Sequence, residues 1–199
     1  MNFPRALWNS ILSSTIIAFA SAALALLASY AIGIGRIRAS TTITAILLIA
    51  TMMPQEALIY PLFYGAQATG LLNSIYGTYI LSIVMSTFPR EVLEAAAIDG
   101  AGRRRILWSV VYPIVRPTLT VLVVFIFIWS WNEFYIPLIL LGDPASQTVP
   151  IALSTLRGQH SIDITVVNAG SLLSLIPTLI FFLLFQRTIS RGVIAGAVK

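Results

Sequence analysis

From Trp8 to Ile34 the chain carries no charged side chain. As a helix this stretch reaches about 40 Å at about 1.5 Å per residue, more than the roughly 30 Å of hydrocarbon in a bilayer. Comparable apolar blocks follow at Ile43–Phe63, Leu71–Phe88, Thr118–Leu141 and Val166–Phe185. Only 10% of the 199 residues are charged, against about a quarter in a soluble domain. With a mean hydropathy of +0.91, the chain lacks the charge to cover a water-facing surface. The pattern implies an all-α integral membrane protein: one domain over residues 1–199, a polytopic bundle of about five transmembrane helices.

Four of the blocks have the length of a spanning helix. The third is marginal, because its apolar part, "IYGTYILSIVMSTF", reaches only about 21 Å as a helix. It must recruit "LLNS" ahead of it or thin the bilayer. No typical cleavable signal peptide is expected: one Arg precedes an apolar run long enough to stay in the membrane.

The net charge of +5 does not read as a nucleic-acid surface, since the basic residues sit at the ends of apolar blocks, where they set topology. Arg36 and Arg38 separate the first two spans. Arg90, Arg103, Arg104, Arg105 and Arg116 separate the third and fourth, and Arg187, Arg191 and Lys199 follow the fifth. If all five segments cross, these groups share one side, and only Arg5 and Arg157 fall on the other. That asymmetry places the 89–105 loop and the C-terminus in the cytoplasm and the N-terminus outside, in a multi-pass protein of the cell (inner) membrane.

Pro89–Gly100, read as "PREVLEAAAIDG", has the grammar of a short cytoplasmic helix. Pro89 fits a first turn, where its missing N–H costs nothing. Glu91 and Glu94 suit the positive end of the dipole, Ala95–Ala97 are strong helix formers, and Gly100 offers the left-handed conformation that ends a helix. So short a helix is unstable alone in water and requires something to pack against. An ordinary amphipathic loop helix is the plainer alternative.

"EAAAIDGA", followed by "RRRILWSVVYPIVRPTL", resembles the cytoplasmic motif of permease subunits in binding-protein-dependent ABC importers. Glu94, Ala95, Ala96, Gly100 and Pro113 occupy the motif's places. "RALWNS", "MMPQEALIYPLF", "GLLNSIYG", "WNEF", "SQTVPIAL" and "GVIAGAVK" resemble the carbohydrate-uptake, maltose-permease branch, in order along nearly the whole chain. The resemblance implies that the 89–100 segment is a coupling helix docked on a separate ATPase dimer, with Glu94, Ala95, Ala96, Asp99 and Gly100 at the contact. It also implies a second permease subunit, in a hetero-dimer, and an extracytoplasmic solute-binding protein. The tail at about 187–199 resembles the segment that lies between the two ATPases. Maltose-type permeases carry six spans with the N-terminus inside; on that pattern the first helix is missing here and the region of the third span is short.

The residues agree with a permease that lacks its own motor. Nothing resembles the G-x-x-x-x-G-K-[ST] loop that cradles phosphates, and the sole lysine is Lys199. Cysteine is absent and His160 is the sole histidine, so neither a metal site nor a cofactor is called for and no catalytic residue is assigned. Polar groups inside spans are costly and mark pathways. Gln55 and Glu56 lie beside Pro54 in the second span, Asn132 and Glu133 beside Trp131 near the outer end of the fourth, and Asn168, Ser171 and Ser174 fall three apart in the fifth. Amide, carboxylate and Trp suit a sugar's hydroxyls and C–H faces. The structural alternative is interhelical hydrogen bonding by Ser and Asn and interfacial anchoring by Trp. The function expected is ATP-driven import of a sugar or oligosaccharide. A non-sugar solute such as a polyol or a glycerol-phosphate-like compound, carried by the same architecture, is the runner-up. An ion-coupled carrier using Glu56 and Glu133 would call for inverted repeats, which the sequence does not display, and a membrane enzyme finds no His or Cys beside these carboxylates.

Overall fold

A computed structural model describes residues 2–33, 42, 45, 59–68, 107–156 and 164–197. All regular structure among these residues is helical. α1 spans Phe3–Gly33, α2 Ile59–Ala68, α3 Tyr112–Trp131, α4 Tyr135–Leu140, α5 Val149–Thr155 and α6 Ile164–Ala197. Three of them contain stretches long and apolar enough to cross a membrane: Phe3–Ala28, Tyr112–Trp131 and Ile164–Gln186. The expected second span apart from residues 45 and 59–63, the third span and the 89–100 coupling helix lie outside the described residues.

α1 begins where Asn2 accepts the Arg5 N–H on its side-chain oxygen at 3.2 Å, the usual service of an Asn cap. Its buried side is built from small residues, among them Ser14, Ala18 and Ser21, all with no measurable exposure. Lipid tails are as apolar as Leu, so helices associate in a bilayer through close packing, and small side chains let the backbones approach.

α3 is the central helix, packed against α1 on one side and α6 on the other. Two clusters fix the directions. Ala6, Ile17 and Ala18 of α1 pack with Val123, Phe127 and Trp131 of α3, whereas Leu26 and Tyr30 pack with Leu107, Val111 and Leu119. The two helices are therefore antiparallel. α6 runs parallel to α1: near its start Gly170 faces Leu153 and Phe3, and further on Phe181 stacks on Phe127. A Cβ at Gly170 would come within 2.8 Å of Leu153 Cδ2, so a glycine lets α6 close on α5 there.

Residues Leu107–Val111 form a π-helical turn that leads into α3. Pro113 stands in the first turn of α3 and Pro117 inside it. Neither proline has an N–H, and each ring crowds the carbonyl four residues back. The widened turn ahead of Pro113 makes room for the first of these rings.

The fourth span ends earlier than the Thr118–Leu141 block suggests. α3 stops at Trp131, and a second helix, α4, starts at Tyr135. Asn132 is the cause. Its backbone N–H closes on the carbonyls of Ile128 and Trp129 at 3.2 Å each, and its side-chain Nδ2 donates to Ile128 O at 2.7 Å, which competes with the continuing helix. Glu133 then accepts the Ile136 N–H at 3.2 Å and satisfies an orphan donor of α4. The expected fifth span falls inside α6, which continues as one helix through Ala197.

Candidate functional site

Of the polar groups named from the sequence, the described ones collect at one end of the bundle, where α3 ends and α1 and α6 begin. Within "WNEF" each polar residue has a structural partner. Trp131 is 4% exposed and stacks on Phe127, centroids 5.9 Å apart and planes at 19°. Asn132 is exposed, Glu133 half-buried, and both hold the α3–α4 junction through the hydrogen bonds above. The motif ends one helix and starts the next at the bundle's end.

Asn168, Ser171 and Ser174 stand near the start of α6, at this same end. Ser171 donates its hydroxyl to Val167 O at 2.8 Å and Ser174 to Ser171 O at 2.7 Å. Both hydroxyl protons are spent on the helix's own carbonyls. The Asn168 side chain is exposed. Gln55, Glu56 and the coupling residues Glu94, Ala95, Ala96, Asp99 and Gly100 lie outside the described residues.

The structure adds a feature that spacing along the sequence does not reveal. Asn9 of α1 donates Nδ2 to two carbonyls of the 143–148 loop, Ala145 O at 3.0 Å and Gln147 O at 3.1 Å. Next to it, the Ser10 hydroxyl accepts the Val149 N–H at 2.8 Å and so satisfies a first-turn donor of α5. The Ser13 hydroxyl donates back to Ser10 O at 2.9 Å. The Asn9 and Ser10 contacts with the loop join residues more than 130 positions apart in sequence and fasten the "SQTVPIAL" segment to the head of α1. Asp143 shapes the same loop by accepting Ala145 N–H at 2.9 Å. The signal was present: Asn9, Ser10, Ser13 and Ser14 form a run of polar residues within a span otherwise free of charge. Its partners lie too far along the chain for spacing to reveal.

One end of the bundle is thus a rigid polar cap, and the other is the entry of α3 with Arg116 and the continuation of α6 through Arg187 and Arg191. Among the described residues no group of three or more His, Cys, Asp or Glu could hold a metal.

The profile of the family described as "Binding-protein-dependent transport system inner membrane component" matches residues 2–194. The trehalose/maltose transport system permease protein MalG of Thermococcus litoralis is 32% identical, over all of this chain and 77% of its own. The lactose transport system permease protein LacG of Rhizobium radiobacter is 29% identical, again over all of this chain and 77% of its own. The osmoprotective compounds uptake permease protein GgtD of Synechocystis sp. is 36% identical over 62% of this chain and 42% of its own. Permeases of this kind are transport components rather than enzymes, and they typically work with ATPase and solute-binding partners. The match runs through every described helix, from the head of α1 well into the C-terminal half of α6, and on that ground the chain belongs to the family of inner-membrane components of binding-protein-dependent transport systems.

Proposed function

We propose that this chain is a permease subunit of an ATP-driven importer that carries a sugar or oligosaccharide inward across the inner membrane. A separate ATPase dimer drives it through the helix at about 89–100, and a second permease and an extracytoplasmic solute-binding protein complete the assembly. The observation that carries the reading is the match over the whole chain to permeases named for trehalose, maltose and lactose transport. The "EAAAIDGA" segment supplies the lever to the ATPase.

The helix directions support the orientation and the number of crossings. α1 ends, and α3 begins, at the end of the bundle that carries Arg116. α2, between them in sequence, packs on α4, which follows the far end of α3. In this reading the chain crosses twice between Gly33 and Leu107, for five crossings in all, and the packing of α2 on α4 supports it. Arg116, Arg187 and Arg191 then share one face, and Glu133 and Asp143 the other, in the sense of the positive-inside rule. That face is the cytoplasmic one in this reading, so the Asn9-fastened cap is directed outward, where a solute-binding protein would deliver its cargo.

A second reading keeps the architecture and changes the solute. GgtD, named for uptake of osmoprotective compounds, is more identical than MalG or LacG over the part it shares, which supports an osmoprotective solute in place of a sugar, for which a polyol is the test case. Proteoliposomes containing the assembled permeases, ATPase and binding protein test both. Uptake of a labelled sugar that requires ATP supports the first reading, and ATP-dependent uptake of a polyol with sugars excluded supports the second. Uptake at full rate with the ATPase removed overturns both.

A further inference from the structure

At the end opposite the polar cap, α1, α3 and α6 leave an open groove of about 410 Å³ between them, within the roughly 300–1,000 Å³ of ordinary ligand sites. Its floor and walls are apolar: Phe19 and Leu26 from α1, Leu119 and Val123 from α3, and Phe185 from α6. Trp108, Tyr112 and Arg116 complete its lining, the first 59% and the second 37% exposed.

Arg116 is the telling residue. It stands one turn inside a helix that spans the membrane, on an exposed position, and its guanidinium makes no hydrogen bond or ion pair among the described residues. The described carboxylates, Glu133 and Asp143, belong to the other end; Glu133 is about 25 Å further along the helix direction. The backbone carbonyl of Arg116 is taken by the Thr120 hydroxyl at 2.9 Å, so the turn beneath it is held while the side chain is left unpaired. A long basic side chain at such depth extends toward the headgroup layer. Exposed Trp and Tyr at the same end mark that layer.

We infer that this groove holds one anionic phospholipid, its phosphate against Arg116 between Trp108 and Tyr112 and an acyl chain laid along Phe19, Leu26, Leu119 and Val123 to Phe185. A basic pocket between membrane helices is the chemistry that retains an anionic headgroup, and the unpaired guanidinium over an apolar channel supplies both halves of that chemistry in one place. The site is at the end opposite the polar cap and needs no assumption about the transported solute.

The test uses the full-length chain in neutral detergent, titrated with phosphatidylglycerol or phosphatidylcholine, with retained lipid counted by native mass spectrometry. The wild-type chain is expected to hold a single phosphatidylglycerol about fivefold more tightly than phosphatidylcholine, the effect of about one basic residue near a lipid surface. Arg116→Gln should erase that preference while phosphatidylcholine retention is unchanged. Ala23 lines the same groove and is exposed; Ala23→Phe fills the channel without altering charge and should weaken both lipids alike. Arg5→Gln, at the opposite end of the bundle, should leave the preference intact. Equal retention of the two lipids by the wild-type chain, or an undiminished preference in Arg116→Gln, overturns the assignment. So does full retention of both lipids by Ala23→Phe.

Discussion

The rings of Phe127 and Phe181 lie face to face, centroids 3.8 Å apart and planes within 6° of parallel. They are the middle rungs of a ladder that continues to Trp131 on one side and to Phe185 on the other. Phe127 is among the most completely buried side chains of the described residues. This ladder ties α3 to α6 through the middle of the bundle.

Truncating the ladder should therefore be costly and the two rings should be coupled. Phe127→Ala is expected to destabilise the chain by about 3 kcal/mol, the cost of an aromatic-sized cavity. Phe181→Ala, at a half-buried position, should cost less. The double variant should fall short of the sum by about 1 kcal/mol, the worth of an aromatic pair beyond its area. Unfolding of the purified chain in mixed detergent measures all three. A strictly additive double variant would show that the rings only fill space.

Asn9 should act as a donor and not as a filler. Asn9→Ala leaves the Ala145 and Gln147 carbonyls without their partner and is expected to cost about 2 kcal/mol. Asn9→Asp keeps the shape but turns both contacts into oxygen facing oxygen, so it should be at least as damaging. Protease nicking of the 143–148 loop in the reconstituted chain reads the effect directly, because a released loop is cut faster. If Asn9→Asp matches the wild type, the two bonds do not hold the loop.

The apolar blocks already specified a helical membrane bundle, because length and lack of charge are local properties that lipid reads directly. The spans centred on α1 and α6 were legible for that reason. The end of α3 was not. Thr118–Leu141 is continuous in hydropathy, and the break at Asn132 comes from a side-chain amide competing for the Ile128 carbonyl, an interaction that hydropathy does not register. For the same reason hydropathy does not show that, within "WNEF", Asn132 ends one helix, Glu133 begins the next and Trp131 fills the core. The bond of the Ser171 hydroxyl to Val167 O within its own helix is equally invisible to spacing. Asn9 and Ser10 were visible as polar intruders, but their partners near residue 147 depend on how α1 and α3 pair.

Topology can be read on this chain without background correction, because it contains no cysteine. Ser109 is exposed beside the entry of α3, and Pro144 is exposed in the capped loop at the other end. In intact cells a membrane-impermeant maleimide should label Pro144→Cys and leave Ser109→Cys unmodified until the membrane is opened. Gln67, exposed on α2, should behave as Pro144 does, since α2 packs on α4. Labelling of Gln67→Cys only from inside would remove the two crossings inferred between Gly33 and Leu107. The reverse pattern at Ser109 and Pro144 would invert the whole orientation.

The proposed lever makes the sharpest demand on Gly100. If it ends the 89–100 helix in the left-handed region, side chains should be tolerated there in the order that conformation permits. Asn visits it at small cost, Ala pays the Cβ penalty of about 1–2 kcal/mol, and a β-branched residue is worse still. The exit angle of the helix, and with it the docking of Glu94 and Ala95 on the ATPase, should degrade in the same order. Co-purification of the ATPase with Gly100→Asn, Gly100→Ala and Gly100→Val is expected to fall stepwise, with about a tenfold loss or more for Val, one decade per about 1.4 kcal/mol. Membrane levels of each variant separate this from failure to insert. A flat series, with Val assembling as well as glycine, would mean that the helix does not end in that conformation and that the ATPase is not held through a fixed exit at Gly100.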